Sequence, residues 1–347
     1  MRSKTILTVF ILSVLLSVRA QSQEQKYQVA CVAFYNVENL FDTINQPEVN
    51  DEEFTPEGSN RWNSVRYWEK MDHLSTVITQ IGDEYVKGGP VLIGLSEIEN
   101  RSVLEDLVKQ PAMAASGYDI VHIDGPDRRG VDVALLYRKA NFTVIASKSI
   151  RLTMPEDTAF ITRDQLLVSG LLDGEEFFII VNHWPSRRGG EKASAPKRNA
   201  AAALARHTVD SLQKINPAAK VIVMGDLNDD PINKSVAKVL QGMPTQEEAR
   251  GGKLYNPMHK LFKTGVGSLA YKDSWNLFDQ IIISEGLLGS DRSTYKYYQT
   301  HIFNKTFLTQ KEGSFSGYPW RTYVGNNYQG GYSDHFPAYI FLAKIAQ

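Results

Sequence analysis

The chain has a single cysteine, Cys31, in 347 residues. No internal disulfide can staple it, so its stability must come from a buried core, which this length can supply. It also has almost no net charge: 38 Lys and Arg against 39 Asp and Glu leave −1. That excludes binding of nucleic acid through bulk positive charge, and any such binding must rest on a local patch. Beyond the N-terminal segment no apolar run is long enough to span a bilayer. There is no His-Glu-x-x-His pattern and no cysteine cluster, which argues against a secreted zinc hydrolase. Internal repeats and low-complexity linkers are also missing.

What is present begins with an export signal. Arg2 and Lys4 precede an apolar stretch from Ile6 to Val18, and Val18-Arg19-Ala20 offers small residues for cleavage. Residues 1–20 are therefore expected to be a signal peptide, and the mature protein to be exported, periplasmic or extracellular. Removing Arg2, Lys4 and Arg19, with no acid among them, takes the net charge from −1 to −4. Cys31 lies too far beyond the apolar run to read as a lipoprotein cysteine.

From residue 21 to 347 the chain reads as one domain. Strands are expected at 28–35, 91–95, 131–137, 142–150, 165–172, 177–181, 220–225, 279–283 and 338–342. Met71, Leu74, Ile78 and Ile81 follow helical spacing. Ser102 to Glu105 has a capping-box pattern that would open a short helix. Residues 196–215 are Ala-rich, with Pro196 at the expected helix start. Runs of strands without intervening helices point to mixed sheets rather than a plain parallel one. Residues 290–332, rich in Gly and Tyr, are expected to form a long loop over the active face. Their aromatics, such as Tyr295, Tyr298 and Trp320, suit loop packing better than base stacking.

The chemistry lies at the strand ends. Val221 to Met224 runs into Gly225-Asp226-Leu227-Asn228, delivering a carboxylate and an amide beside a core. A charge there costs several kcal/mol unless compensated. A divalent metal, a phosphate-bound water or a buried partner are the candidates. Other predicted strands run out at Asn36, Glu97 and His183, Asp279 opens one, and Asp334 with His335 lies near the last. Glu99 rivals Glu97, since alternate residues of an extended strand share a face. Carboxylates, amides and histidines at strand ends are what hard-metal phosphate chemistry requires.

Six segments carry a resemblance. They are Phe34-Tyr-Asn36-Val-Glu-Asn39, Gly94-Leu-Ser-Glu97-Ile, Val181-Asn-His183-Trp184, Gly225-Asp226-Leu-Asn228, Phe278-Asp279-Gln-Ile281 and Ser333-Asp334-His335-Phe336-Pro337. In this order the chain resembles the endonuclease/exonuclease/phosphatase superfamily, the deoxyribonuclease-like metal phosphoesterases. The Asn182 to Gly190 segment looks most like secreted bacterial members. The resemblance implies a four-layered α/β sandwich, two packed, mainly mixed or antiparallel sheets flanked by helices.

The resemblance also implies roles. Glu97 is the principal metal ligand, with Asn36 and Asp334 on the metal side. The ion is expected to be Mg²⁺ or Mn²⁺, with Ca²⁺ a further option. Asp226 aligns or deprotonates the attacking water, and Asn228 orients the phosphate. His183 and His335 contact phosphate oxygens as donors or general acid, and Asp279 orients His335. Asp132 is the expected carboxylate partner of His183. Where the family's nucleases often carry a tyrosine, this chain has Arg128 and Arg129; Arg129, Arg163 and Arg187 are candidate substrate contacts. The basic segment from Arg187 to Arg198 would steer an anionic substrate. The expected function is an exported metal-dependent phosphodiesterase acting as a monomer on nucleic acid or nucleotide. Hydrolysis of sugar or lipid phosphates is the alternative on the same site. A non-catalytic phosphate-binding protein is the alternative from another class, against which the intact site positions speak.

Overall fold

The computed structural model describes residues 25–346, so the signal-peptide reading of residues 1–20 lies outside the described residues. Six strands form the first sheet: β1 (Tyr27–Leu40), β2 (Leu92–Ile98), β3 (Tyr118–His122), β4 (Asp132–Arg138), β14 (Lys296–Ile302) and β17 (Ala338–Ile345). Their order is β14-β17-β1-β2-β4-β3. The second sheet has β5 (Phe142–Ile150), β6 (Gln165–Leu172), β7 (Glu175–His183), β8 (Lys220–Asp226), β9 (Gly242–Met243), β10 (Leu254–Tyr255) and β13 (Asp279–Ser284). Its order is β5-β6-β7-β8-β13-β10-β9. Two small hairpins complete the strands, β11 (Leu269–Tyr271) with β12 (Ser274–Asn276), and β15 (Tyr323–Val324) with β16 (Asn327–Tyr328). β1–β2 and β7–β8 are parallel while β1–β17 and β8–β13 are antiparallel, so both sheets are mixed.

Alternation along the buried strands assigns each face. In β8, Ile222 and Met224 enter the core between the sheets, while Val221 and Val223 pack outward with Ala201, Ala202, Ala205 and Val209 of helix α4 (Glu191–Ile215). β7 repeats the pattern with Ile179 and Val181 inward and Ile180 outward. The strands read as continuous apolar runs because both faces are covered, each buried Val or Ile contributing about 1.5–3 kcal/mol. Helix α1 (Ser64–Gln80), α2 (Arg101–Val108) and the single turn α3 (Pro111–Ala114) cover the other sheet, and α5 (Met258–Lys263) lies near β13. Gly94 marks where the sheets meet, since a Cβ there would press on Met224 and Val181 of the opposite sheet. The result is the deoxyribonuclease-like layered α/β arrangement.

Four local readings are corrected. The helix after residue 100 is capped by Asn100, whose side chain accepts from Val103 N–H; Ser102 sits inside the first turn and donates to Asn100. α4 starts at Glu191, so Pro196 lies inside it, costing one backbone bond rather than setting the start. Residues 290–332 are not one loop. β14 within them pairs antiparallel with β17 through a bulge between Tyr297 and Gln299, which breaks the alternation that would have revealed a strand. Glu97 and Glu99 do not share a face, because Glu97 adopts a left-handed φ of 65° and breaks the pleat. Glu99 instead accepts from Asp42 N–H and Gln46, holding the following loop.

One glycine ties the fold to the site. Gly225 lies beside Asn182 in the parallel β7–β8 register, and a Cβ would run into the Asn182 carbonyl and side chain. Asn182 is fully buried, donating to the carbonyls of Ile180 and Met224 and accepting from the Trp184 indole. Neither backbone nor anchored amide can retreat. Gly225→Ala is expected to destabilise the protein by about 1–3 kcal/mol. A chemical-denaturation midpoint equal to that of the parent would show that the contact is relieved at no cost.

Candidate active site

Three adjacent strand ends of the second sheet carry His183, Asp226 and Asp279, which are direct register partners: His183 beside Asp226 across β7–β8, and Asp226 opposite Asp279 across β8–β13. The first sheet brings Asn36 from β1 and Glu97 from β2 to the same place. Asn36 Nδ2 donates to Asp226 Oδ2 at 3.1 Å and lies 3.5 Å from Glu97 Oε1, so one amide links two carboxylates from opposite sheets. Just before β17, Ser333 donates to the Asn36 carbonyl and accepts from His335 N–H, pinning His335 over the same edge. Ser333 stands in the Ser333-Asp334-His335 motif, and its hydroxyl joins the two ends of the site.

Backbone geometry supports the carboxylate positions. Asn228 adopts φ 49°, and its N–H donates to Asp226 Oδ1 at 2.9 Å. Its side-chain amide donates to the Trp184 carbonyl. A non-glycine residue in this region is strained, and such strain is commonly kept where it places a functional group.

The two histidines differ in charge, one cationic and the other neutral. His335 Nδ1 lies 2.7 Å from Asp279 Oδ2. Burial opposes its protonation, but Asp279, Asp334 and Asp226 outweigh burial and hold its pKa well above the ordinary value. His183 is pushed well below, first by burial and then by Arg163, Arg129 and His335. It is a neutral hydrogen-bonding group, with Nε2 3.6 Å from Asp226 and 3.8 Å from Glu97. Asp226 is pushed up to about 6 by burial, with Asp279 and Glu97 raising it against His335 and the Asn228 N–H. It is ionised at neutral pH yet basic enough to accept a proton.

The expected His183–Asp132 pair is absent. Asp132 opens β4, accepts from Gly125 N–H and faces His122 at 3.5 Å, while His183 Nδ1 is buried with no partner among the described residues. Asp334 stands beside His335, 3.9 Å from Nε2, and is 3.7 Å from Arg321. Glu38, not among the expected site residues, is a buried acid accepting from Thr322 N–H, its pKa raised to about 7 by burial and by Asp334 against Lys70. Lys70, buried on α1, donates to Thr322; a lysine at helical spacing with Leu74 and Val77 was the available signal.

Glu97, His183, Asp226, Asn228 and His335 line an open cavity of about 760 Å³. Arg163 also lines it, buried, donating to the Trp184 carbonyl at 2.7 Å and pairing with Asp127 at 3.3 Å; Arg129, half exposed, lies 3.5 Å from the same carboxylate. Both therefore reach the site as expected, organised by Asp127, which sequence reasoning passed over inside a Gly/Pro turn. Arg187 does not. It donates to the Asn228 carbonyl and pairs with Asp229, Asp230 and Glu191, and its guanidinium lies over the Phe278 ring. It props up the Asn228 loop instead of facing substrate. The aromatics of the 290–332 segment pack among themselves and their neighbours, as Tyr295 does against Phe177 and Trp320 against Tyr332.

Residues 31–344 match the model of the Endonuclease/Exonuclease/phosphatase family. The chain belongs to this family. Family members are metal-dependent phosphoester hydrolases, and the chain is an enzyme of that class. Truncated TDP2 from Caenorhabditis elegans superimposes with a TM-score of 0.57 at 16% identity, covering 92% of this chain and 98% of that one. D. rerio TDP2 complexed with single strand DNA product gives 0.55 at 15%, covering 90% and 98%. A Bacteroides thetaiotaomicron mannosyl-6-phosphatase gives 0.54 at 19%, covering 90% and 99%. At these identities the likeness establishes the fold. No curated protein sequence matches.

The donor set fits the family's divalent cation. Glu97 is held by the Asn39 N–H and faces Asn36 and a neutral His183, with no Lys or Arg paired to it among the described residues. An uncompensated carboxylate beside a second one, Asp226, with an amide between them, is an oxygen-rich site for a hard ion.

Proposed function

We propose that the protein is an exported phosphodiesterase that uses Mg²⁺ or Mn²⁺ to hydrolyse a nucleotide or nucleic-acid phosphodiester by in-line attack of water. The observation that carries this is the meeting of Glu97 and Asn36 with Asp226, His183 and the Asp279–His335 pair at the floor of one basic cavity. Glu97 and Asn36, with Asp334 nearby, would hold the ion. Once bound, it would neutralise charge on the phosphate oxygens. Asp226 aligns the water and takes its proton. Asn228 and His183 donate to the phosphate, and the charged His335, oriented by Asp279, stabilises the developing negative charge or protonates the leaving oxygen. Arg163 and Arg129 add positive charge along the wall.

The DNA-product complex of the D. rerio neighbour supports a diester, and the near-neutral net charge favours short strands or nucleotides over long duplex. The mannosyl-6-phosphatase neighbour supports the second reading, a sugar-phosphate monoesterase. Export rests on the Arg2, Lys4 and Ile6–Val18 pattern, and no described helix is long and apolar enough to cross a membrane. A monomer is the simplest working state. Mature protein assayed on a generic phosphodiester, a phosphomonoester, short DNA, RNA and sphingomyelin, each with Mg²⁺ or chelator, tests the reading. Preferential turnover of diesters is expected. Preference for the monoester would move the assignment to the phosphatase reading, and no turnover of any substrate to a binding protein.

A further inference from the structure

The cavity carries more positive charge than one phosphate requires. Arg128, Arg129, Arg163, Arg188 and Lys197 line it, against the carboxylates of Glu97, Asp127 and Asp226. Asp127 already answers Arg163 and Arg129, and Glu97 and Asp226 belong to the reacting end. On the wall made by α4 and the loop before it, Arg188 and Lys197 remain. Arg188 is exposed and has no hydrogen bond or ion pair among the described residues; the polar head of Lys197 lies 4.5 Å over the Phe160 ring.

These two differ from their sequence neighbours. Arg198, next to Lys197 on the helix, points the other way, fully buried against Asp229 at 2.8 Å. Arg187, next to Arg188, is taken up by Asp229, Asp230 and Glu191. The basic segment therefore splits into a structural pair facing the Asp229 loop and a free pair facing the cavity. Gly189 and Gly190, at φ 83° and 111°, turn the chain between Arg188 and α4. Phe160, Ile161 and Ala193 also line the cavity and add apolar surface to it.

We propose that Arg188 and Lys197 form a subsite for a second phosphate of the substrate, whose intervening ring packs against Phe160. This rests on the phosphodiesterase reading and narrows it to compact substrates bearing two phosphates. The second phosphate is the neighbouring one of a short strand or that of a bisphosphorylated small molecule. A guanidinium and an ammonium are suited to it, the first by its two parallel donors and the second as a mobile point charge.

The test is calorimetric titration of the mature protein with Mg²⁺ present. A nucleoside 3′,5′-bisphosphate is compared with the matching 5′-monophosphate, and a sugar bisphosphate with its monophosphate. The parent is expected to bind a bisphosphate at least about 10-fold more tightly, and the pair showing the larger ratio identifies the source. In Arg188→Ala/Lys197→Ala the ratio should fall to near one, while Arg188→Lys should keep most of it. Both side chains are at least partly solvent-facing, so the fold is retained, which a circular-dichroism melt verifies. A parent ratio near one, or a ratio unchanged in the double variant, overturns the subsite. An equal loss for mono- and bisphosphates also overturns it, because the residues would then only steer anions. Binding is read independently of turnover, so failure of the hydrolase reading would show separately in the substrate panel.

Discussion

Asp226→Asn is expected to reduce kcat by about 10²- to 10⁴-fold, the range for removing a positioned general base, with the fold intact. The substitution keeps shape and leaves an oxygen to accept from the Asn228 N–H at the position of Oδ1. What disappears is the negative charge that aims the water and the capacity to take its proton. Stability should change little, because the new Nδ2 replaces the acceptor of the Asn36 amide, a loss set against the removal of a buried charge. Asp226 is only 2% exposed, and burial raises its pKa to about 6, so its ionised form is held at a cost that the amide does not carry. A thermal midpoint near that of the parent, together with the loss of turnover, is the expected pair of results. Turnover within tenfold of the parent on the best panel substrate would show that another group handles the water.

Asp279→Asn should have the next largest effect, lowering kcat by about 10²-fold at neutral pH. Asp279 is fully buried, and its charge is the largest contribution favouring protonated His335 against burial. With it gone, burial dominates and the His335 pKa falls. In the parent the imidazolium persists well above the ordinary histidine pKa, so the alkaline limb of kcat lies high. In the variant that limb should move to lower pH, and part of the lost rate should return on acidification. The linkage has the same sign for stability. A histidine whose folded pKa is raised contributes stability that is complete below its unfolded pKa and is lost as pH rises through the folded one. An unchanged pH profile in Asp279→Asn would mean that His335 does not act as a cation.

Much of this site was legible because its residues sit at the ends of apolar runs. Asn36, Glu97, His183 and Asp226 end or nearly end a strand that the hydrophobic pattern marks, Asp279 opens one, and mixed sheets place those ends together. What the sequence could not carry depended on backbone departures and on long-range partners. The left-handed turn at Glu97 separates it from Glu99, and alternation cannot foresee such a turn. Asp132 faces a neighbouring histidine, His122, rather than His183, a long-range choice that strand pattern alone does not reveal. Arg187, Arg188, Lys197 and Arg198 look alike as a basic run, yet the position of Asp229 sorts them into structural and free pairs. β14 was hidden by its bulge and by an edge position that leaves most of its side chains half buried.

The most direct measurement is hydrolysis of the best panel substrate by chelator-stripped mature protein, followed by titration with Mg²⁺. Uncompensated Glu97 beside Asp226, bridged by the Asn36 amide, calls for a bound cation. Turnover should fall at least about 100-fold on stripping, as loss of the charge-stabilising ion requires, and return with Mg²⁺ or Mn²⁺. Hydrolysis that continues undiminished in chelator would contradict a metal-dependent site at Glu97 and Asp226.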